Sequence, residues 1–166
     1  MNKIVRLLTA AALVAGSLCA FGCSKDDEKE EQPVTPSTVF AFHYDGATIA
    51  ANDTVVMSPT VSSDLGRADF IVENKTEATV QACLKMECVE GRVSDRVELC
   101  YNENCREVPL GTVTDPFPIE SGMTQANTIT YDYNPSTITS TTVYRLTIGE
   151  GSEMKNPQVI FIKHTI

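Results

Sequence analysis

Six cysteines hold most of the reactive chemistry in this chain of 166 residues. Four of them fall in two equal spacings, Cys83-x4-Cys88 and Cys100-x4-Cys105, with eleven residues between the pairs. Thiols at such spacings have two uses. In an oxidising compartment an even set of four implies two disulfides, with three connectivities open. In a reducing one, four thiolates can close a tetrahedral zinc cage. Cys88 and Cys100 are symmetric about Ser94, as are Cys83 and Cys105, so a hairpin centred there would set both pairs opposite each other. Residues five apart on a strand point to opposite faces, however, so one rung would lie in the core and one outside. Spacing alone leaves the connectivity open.

The compartment is legible further upstream, around Cys23. Lys3 and Arg6 give a basic start, and residues 7–21 are apolar apart from Thr9, Gly16 and Ser17. That run is shorter than the ~20 residues a membrane-spanning helix needs. Five acids in six positions, residues 26–31, follow almost at once. A basic start, a short apolar middle and small residues before a break describe a secretory signal, here residues 1–22, that is cleaved off. Oxidising export favours disulfides over the zinc cage. The expectation is therefore of no metal and no cofactor.

Ala20-Phe21-Gly22-Cys23 resembles the bacterial lipobox. The resemblance implies that Cys23 receives lipid, palmitate included, and becomes the mature N-terminus. Cys19 fits less well because the bulky Leu18 precedes it. Cys23-Ser24-Lys25-Asp26-Asp27 is similar to the export signal of surface lipoproteins in the Bacteroidetes, which implies an outer-membrane anchor with the domain facing outward. A periplasmic face is the alternative. Residues 1–22 hold two of the 13 Lys and Arg and none of the 22 Asp and Glu, so the mature chain carries 11 against 22, a net charge of −11. Such a surface repels nucleic acid and anionic membrane, leaving the N-terminal lipid as the membrane contact. Residues 23–37, acidic and then carrying Pro33 and Pro36, read as an extended tether, and residues 38–166 as the folded domain.

That domain has the vocabulary of strands. Residues 39–44 place Phe40, Phe42 and Tyr44 on one face, with Asp45-Gly46 as a turn. Residues 53–57, 69–73, 128–133, 141–148 and 158–163 read as further strands. Residues 79–89 and 97–101 read as one long hairpin about Glu90-Gly91. Pro109, Pro116 and Pro118 mark the longest loop-like stretch, residues 109–128. No mature segment holds a 3.6-residue apolar stripe. Seven or eight short strands at this spacing predict an all-β sandwich.

The order of signals resembles immunoglobulin-like domains of Bacteroidetes surface lipoproteins. It is carried by Val72-Glu73-Asn74-Lys75-Thr76, Leu99-Cys100-Tyr101-Asn102-Glu103-Asn104-Cys105, Tyr133-Asn134-Pro135 and Val143-Tyr144-Arg145-Leu146. The resemblance implies an Ig-like fold, a local Cys100–Cys105 link, and by remainder Cys83–Cys88. It implies no reaction. Asp53-Thr54-Val55 is similar to the general O-glycosylation pattern of envelope proteins in the same phylum, with Thr54 as acceptor.

Other reactive residues are sparse. His43 and His164, with Met86 or Met123, could bind a metal or haem, but terminal strands can also be neighbours by chance, and structural roles are the expectation. Asp115, Glu120 and Asp132 lack the dense spacing of a calcium loop. No nucleophile elbow is present. The sequence thus predicts a non-enzymatic, lipid-anchored surface module that binds protein or glycan through the 109–128 stretch. The alternative is an accessory subunit of an outer-membrane or fimbrial-type assembly, recruited through a sheet edge.

Overall fold

A computed structural model describes residues 35–57, 66–91, 96–133 and 141–165. The signal, Cys23, most of the tether, and Asn134-Pro135, expected to end a strand, lie outside them. Eleven strands follow in order: β1 Phe40–Tyr44, β2 Ala47–Ile49, β3 Thr54–Met57, β4 Gly66–Asn74, β5 Val80–Glu90, β6 Arg96–Tyr101, β7 Asn104–Pro109, β8 Phe117–Ile119, β9 Gly122–Tyr133, β10 Thr142–Glu150 and β11 Lys155–His164. They form a six-stranded sheet, β2-β1-β4-β9-β6-β7, and a five-stranded sheet, β3-β11-β10-β5-β8. The central quartet β1-β4-β9-β6 against the triplet β11-β10-β5 reproduces the ABED and GFC sheets of an immunoglobulin-like sandwich. All pairings are antiparallel except that of β3 with β11.

Period-two alternation builds the core. Along β4 the residues Ala68, Phe70 and Val72 are buried while Arg67 and Asp69 are exposed. Phe40 and Phe42 of β1 face Leu84 and Met86 of β5, Leu146 and Ile148 of β10, and Ile160 and Ile162 of β11 within one apolar cluster. Each fully buried side chain of this size is worth about 1.5–3 kcal/mol of transfer free energy. Tyr44 closes the rim, its ring 5.2 Å from that of Phe70. The Asp45-Gly46 turn is present, both residues having positive φ as a two-residue type I′ hairpin requires.

One expectation is overturned. β5 and β6 are not a hairpin: β5 lies between β10 and β8, and β6 between β9 and β7 in the other sheet. The chain crosses the sandwich after Gly91. Both strands bury one face, Ala82, Leu84 and Met86 on β5 and Val97, Leu99 and Tyr101 on β6. Such a pattern is the same whether two strands lie side by side or face each other across a core. The true hairpin is β6–β7, closed by Asn102 and Glu103, again both at positive φ.

The 109–128 stretch is likewise more ordered than a loop, since it holds β8 and the start of β9. β8 is an edge strand, where Pro118 removes no ladder bond that the sheet needs.

Candidate functional site

The outer face of the six-stranded sheet carries a cleft of about 530 Å³, lined among others by Tyr44, Asp45, Arg67, Asp69, Gln125 and Thr128. Its position follows from strand lengths. β1 stops pairing with β4 at His43 and Ile71 and then turns, whereas β4 runs on to Gly66 beside β9. Among the described strands nothing pairs with the β1-side edge of residues 66–70, and the cleft opens there.

The opposite wall is an irregularity in β9. Ile71 pairs with Thr128 and Glu73 with Met123, so Val72 alone faces residues 124–127. Asn127 holds this wide bulge in place. It is 1% exposed, accepts the Glu120 N–H at 2.8 Å and donates to the carbonyls of Glu120 and Gly122 at 2.8 and 3.1 Å. The Thr128 hydroxyl donates to the Gln125 carbonyl at 2.8 Å. Bulges re-aim side chains at binding sites, and here the bulge brings Gln125 to the cleft.

The charged lining is held as firmly. Arg67 donates through Nε and Nη2 to the two Asp132 oxygens at 2.8 and 3.0 Å, and the hydrogen bond to Asp132 holds its basicity above the ordinary arginine value. Asp69 accepts the Thr130 hydroxyl at 2.5 Å. Gly66, at the end of β4, lies so close under the Tyr133 ring that any Cβ there would overlap it.

Beside the cleft, Thr48, His43 and Glu73 form a hydrogen-bonded line. The Thr48 hydroxyl meets His43 Nδ1 at 3.2 Å, and His43 Nε2 meets Glu73 Oε2 at 3.0 Å. The order is that of a nucleophile, a base and an orienting carboxylate. Thr48 is exposed on the edge strand β2, on an open sheet face rather than in a water-excluding pocket. The line acts as a cross-strand ladder joining β2, β1 and β4. No sequence spacing announces it, because the three residues meet only through pairing.

A second cluster lies inside the sandwich, where no ligand reaches. His164 is 3% exposed, and its Nε2 shares a hydrogen bond with the Tyr131 hydroxyl at 3.1 Å. Tyr133 and Tyr144 pack their rings on the same imidazole. Burial pulls the His164 pKa down to about 4 and pushes that of Tyr144 up to about 12. Burial also drives the Tyr131 hydroxyl far above its ordinary value.

The sequence-derived residues separate. His43 is on the outer face and His164 in the interior, while Met86 is core and Met123 exposed, so the proposed ligand set does not assemble. Asp115 pairs with Arg106 and Asp132 with Arg67, and Glu120 adjoins the Asn127 clamp, so the three acids form no calcium site. Thr54 is exposed at the start of edge strand β3, its N–H bonded to Asp53 Oδ1 at 2.8 Å.

Cys100 and Cys105 are joined, directly opposite each other across β6 and β7. The Cys83–Cys88 link is corrected: both are thiols. Five residues along one strand separate them by about 16 Å, far beyond the ~7 Å a disulfide tolerates. They occupy the five-stranded sheet while the other pair sits on the outer face of its partner, which also removes the four-cysteine zinc cage. Burial raises the Cys83 thiol above its ordinary pKa, so it is held protonated and unreactive.

No protein-family model and no curated protein matches the sequence. Among solved structures the chain is similar to the ASH/PapD-like domain of human CEP192 (PapD-like domain 7). The identity is 10%, the match covers 87% of this chain and 97% of that one, and the TM-score is 0.41. A likeness this distant carries no argument about function.

Proposed function

We propose that the chain is a non-enzymatic, lipid-anchored protein of the cell surface whose Ig-like sandwich binds a protein or glycan. The observation behind this reading is the cleft, a concave polar site built by a bulge and a tight turn. Arg67, Asp69 and Thr128 are each hydrogen-bonded within the sheet and so are held for recognition. The Cys23 motif and the acidic tether support the anchor and the outward placement.

Palmitate labelling with protease shaving of intact cells tests this. The native chain should take up label and lose residues 38–166 to external protease, and Cys23→Ala should take up none. Resistance of the domain on intact cells would place it in the periplasm and remove the surface reading.

The second reading, an accessory subunit of an envelope assembly, has its own observation. Val56 is 58% exposed on the short edge strand β3, which among the described residues pairs on one side only and so offers an apolar side chain and a sheet edge to an added strand. A stoichiometric envelope protein co-purifying with the chain, and lost with Val56→Lys, would favour it.

A further inference from the structure

The cleft also specifies what kind of ligand suits it. Asp69 spends one carboxylate oxygen on Thr130 and keeps the other, and Asp45 is exposed in the turn. Thr128 gives its proton to the Gln125 carbonyl, which leaves the hydroxyl oxygen as an acceptor. Arg67 spends its Nε–H and one Nη2–H on Asp132 and keeps its other three N–H groups. Gln125 alone contributes a balanced donor and acceptor. The open lone pairs of Asp45, Asp69, Thr128 and Gln125 outnumber the free N–H groups of Arg67 and Gln125, so the lining suits a ligand that brings hydrogen-bond protons of its own.

Two further features narrow the class. The carboxylates of Asp45 and Asp69, on a chain of net charge −9, oppose an anionic ligand. Ile71 and the half-buried ring of Tyr44, fixed on Phe70, supply an apolar patch within the same polar wall. A cleft of about 530 Å³ has the size of a small-molecule site, about 300–1,000 Å³, whereas a protein partner needs roughly 800 Å² of surface on each side.

We infer that this cleft binds a neutral, hydroxyl-rich glycan, its vicinal hydroxyls donating to Asp69, Asp45 and Gln125 and a C–H face resting on Tyr44 and Ile71. The inference rests on the surface binding-module reading and commits it to one ligand class.

The test is binding of the full chain in detergent to arrayed neutral oligosaccharides of hexoses and N-acetylhexosamines, beside sialylated, uronic and sulfated ones. Retention on neutral glycans, at least tenfold weaker in Asp69→Ala and in Gln125→Ala, is expected. Glu107→Ala, on the same face outside the cleft, should bind as the native chain does. Thermal melts confirm that each variant is folded. Neutral-glycan binding unchanged in both cleft variants overturns the placement, and retention of anionic glycans alone overturns the class. A blank array, with a defined protein captured by the same chain, overturns the glycan inference and leaves the binding-module reading standing. A blank array with no captured protein overturns both.

Discussion

His164 should make the fold sensitive to mild acid, and the size of the effect follows from its surroundings. The ring is buried between the sheets, against Tyr131, Tyr133 and Tyr144, with Met57 its partner in the neighbouring strand. Cys88 lies close enough to raise the pKa values of Tyr131 and Tyr144. Burial holds Tyr131 and Tyr144 above the ordinary tyrosine value, so neither is charged between pH 4 and 8. Burial lowers the His164 pKa in the folded chain to about 4, against 6.5 for the free side chain. The unfolded chain therefore binds the proton first. Stability is complete above pH 6.5 and falls as the pH drops toward 4. At 1.36 kcal/mol per pH unit the gap amounts to about 3 kcal/mol at the lower end, and about 2 kcal/mol is already lost at pH 5. Carboxylates elsewhere also titrate near the bottom of this window, so the measurement has to be a difference. His164→Gln keeps a hydrogen-bonding partner for Tyr131 and does not titrate. Urea denaturation of both proteins at pH 7.5 and pH 5 should show the variant losing about 2 kcal/mol less on acidification. An identical loss in the two proteins would refute the account.

Two other outcomes follow from named contacts. Replacing both Cys100 and Cys105 by Ser should cost about 2 kcal/mol, the chain-entropy value for so short a loop, and leave the protein folded. Peptide mapping should find Cys100 linked to Cys105, and thiol titration should find Cys88 reactive natively but Cys83 only after unfolding. Asn127→Ala removes three part-buried hydrogen bonds and should cost about 2–3 kcal/mol, read as a lower urea midpoint with unchanged slope. If the bulge positions Gln125, the same variant should lose glycan retention while still folded.

The fold class was legible because strand chemistry is local. Phe40, Phe42 and Tyr44 alternate on one strand whatever lies opposite, and Asp45-Gly46 suits a type I′ turn on its own account. What failed was long-range pairing. The interior faces of β5 and β6 carry the same alternation that a hairpin would, and Glu90-Gly91 suits a turn, so nothing in the residues told crossing from turning back. β7 went unseen because only Val108 of its side chains is buried, as suits a solvated edge strand. The cleft was half visible. Gln125 and Thr128 belong to the stretch singled out as a binding loop, but Asp45, Arg67 and Asp69 join them only through the register of β4 with its neighbours. Asn127, which clamps the bulge, looks in sequence like any polar strand residue; the one hint is the run Met123-Thr124-Gln125-Ala126-Asn127, which breaks the alternation before Thr128 restores it.

That break explains why the site lies where it does. A regular β9 would present Thr128, Thr130 and Asp132 in an even row and leave the outer face flat. Inserting residues 124–127 opposite Val72 lifts one wall above the sheet, and the early end of β1 drops the other. Arg67 is largely exposed but the Asp132 side chain is only 9% exposed, and their bidentate ion pair contributes roughly 1 kcal/mol to folding. On the glycan reading its part is in recognition: Asp132 takes the main hold on the one cation of the lining, so the attraction of Arg67 to Asp69 is the weaker one. Asp132→Asn would weaken that pairing and free Arg67 to turn toward Asp69. The variant should then lose no more than about 1 kcal/mol of stability yet bind neutral glycan more weakly, a separation of folding from binding that a purely structural role for the pair would not produce.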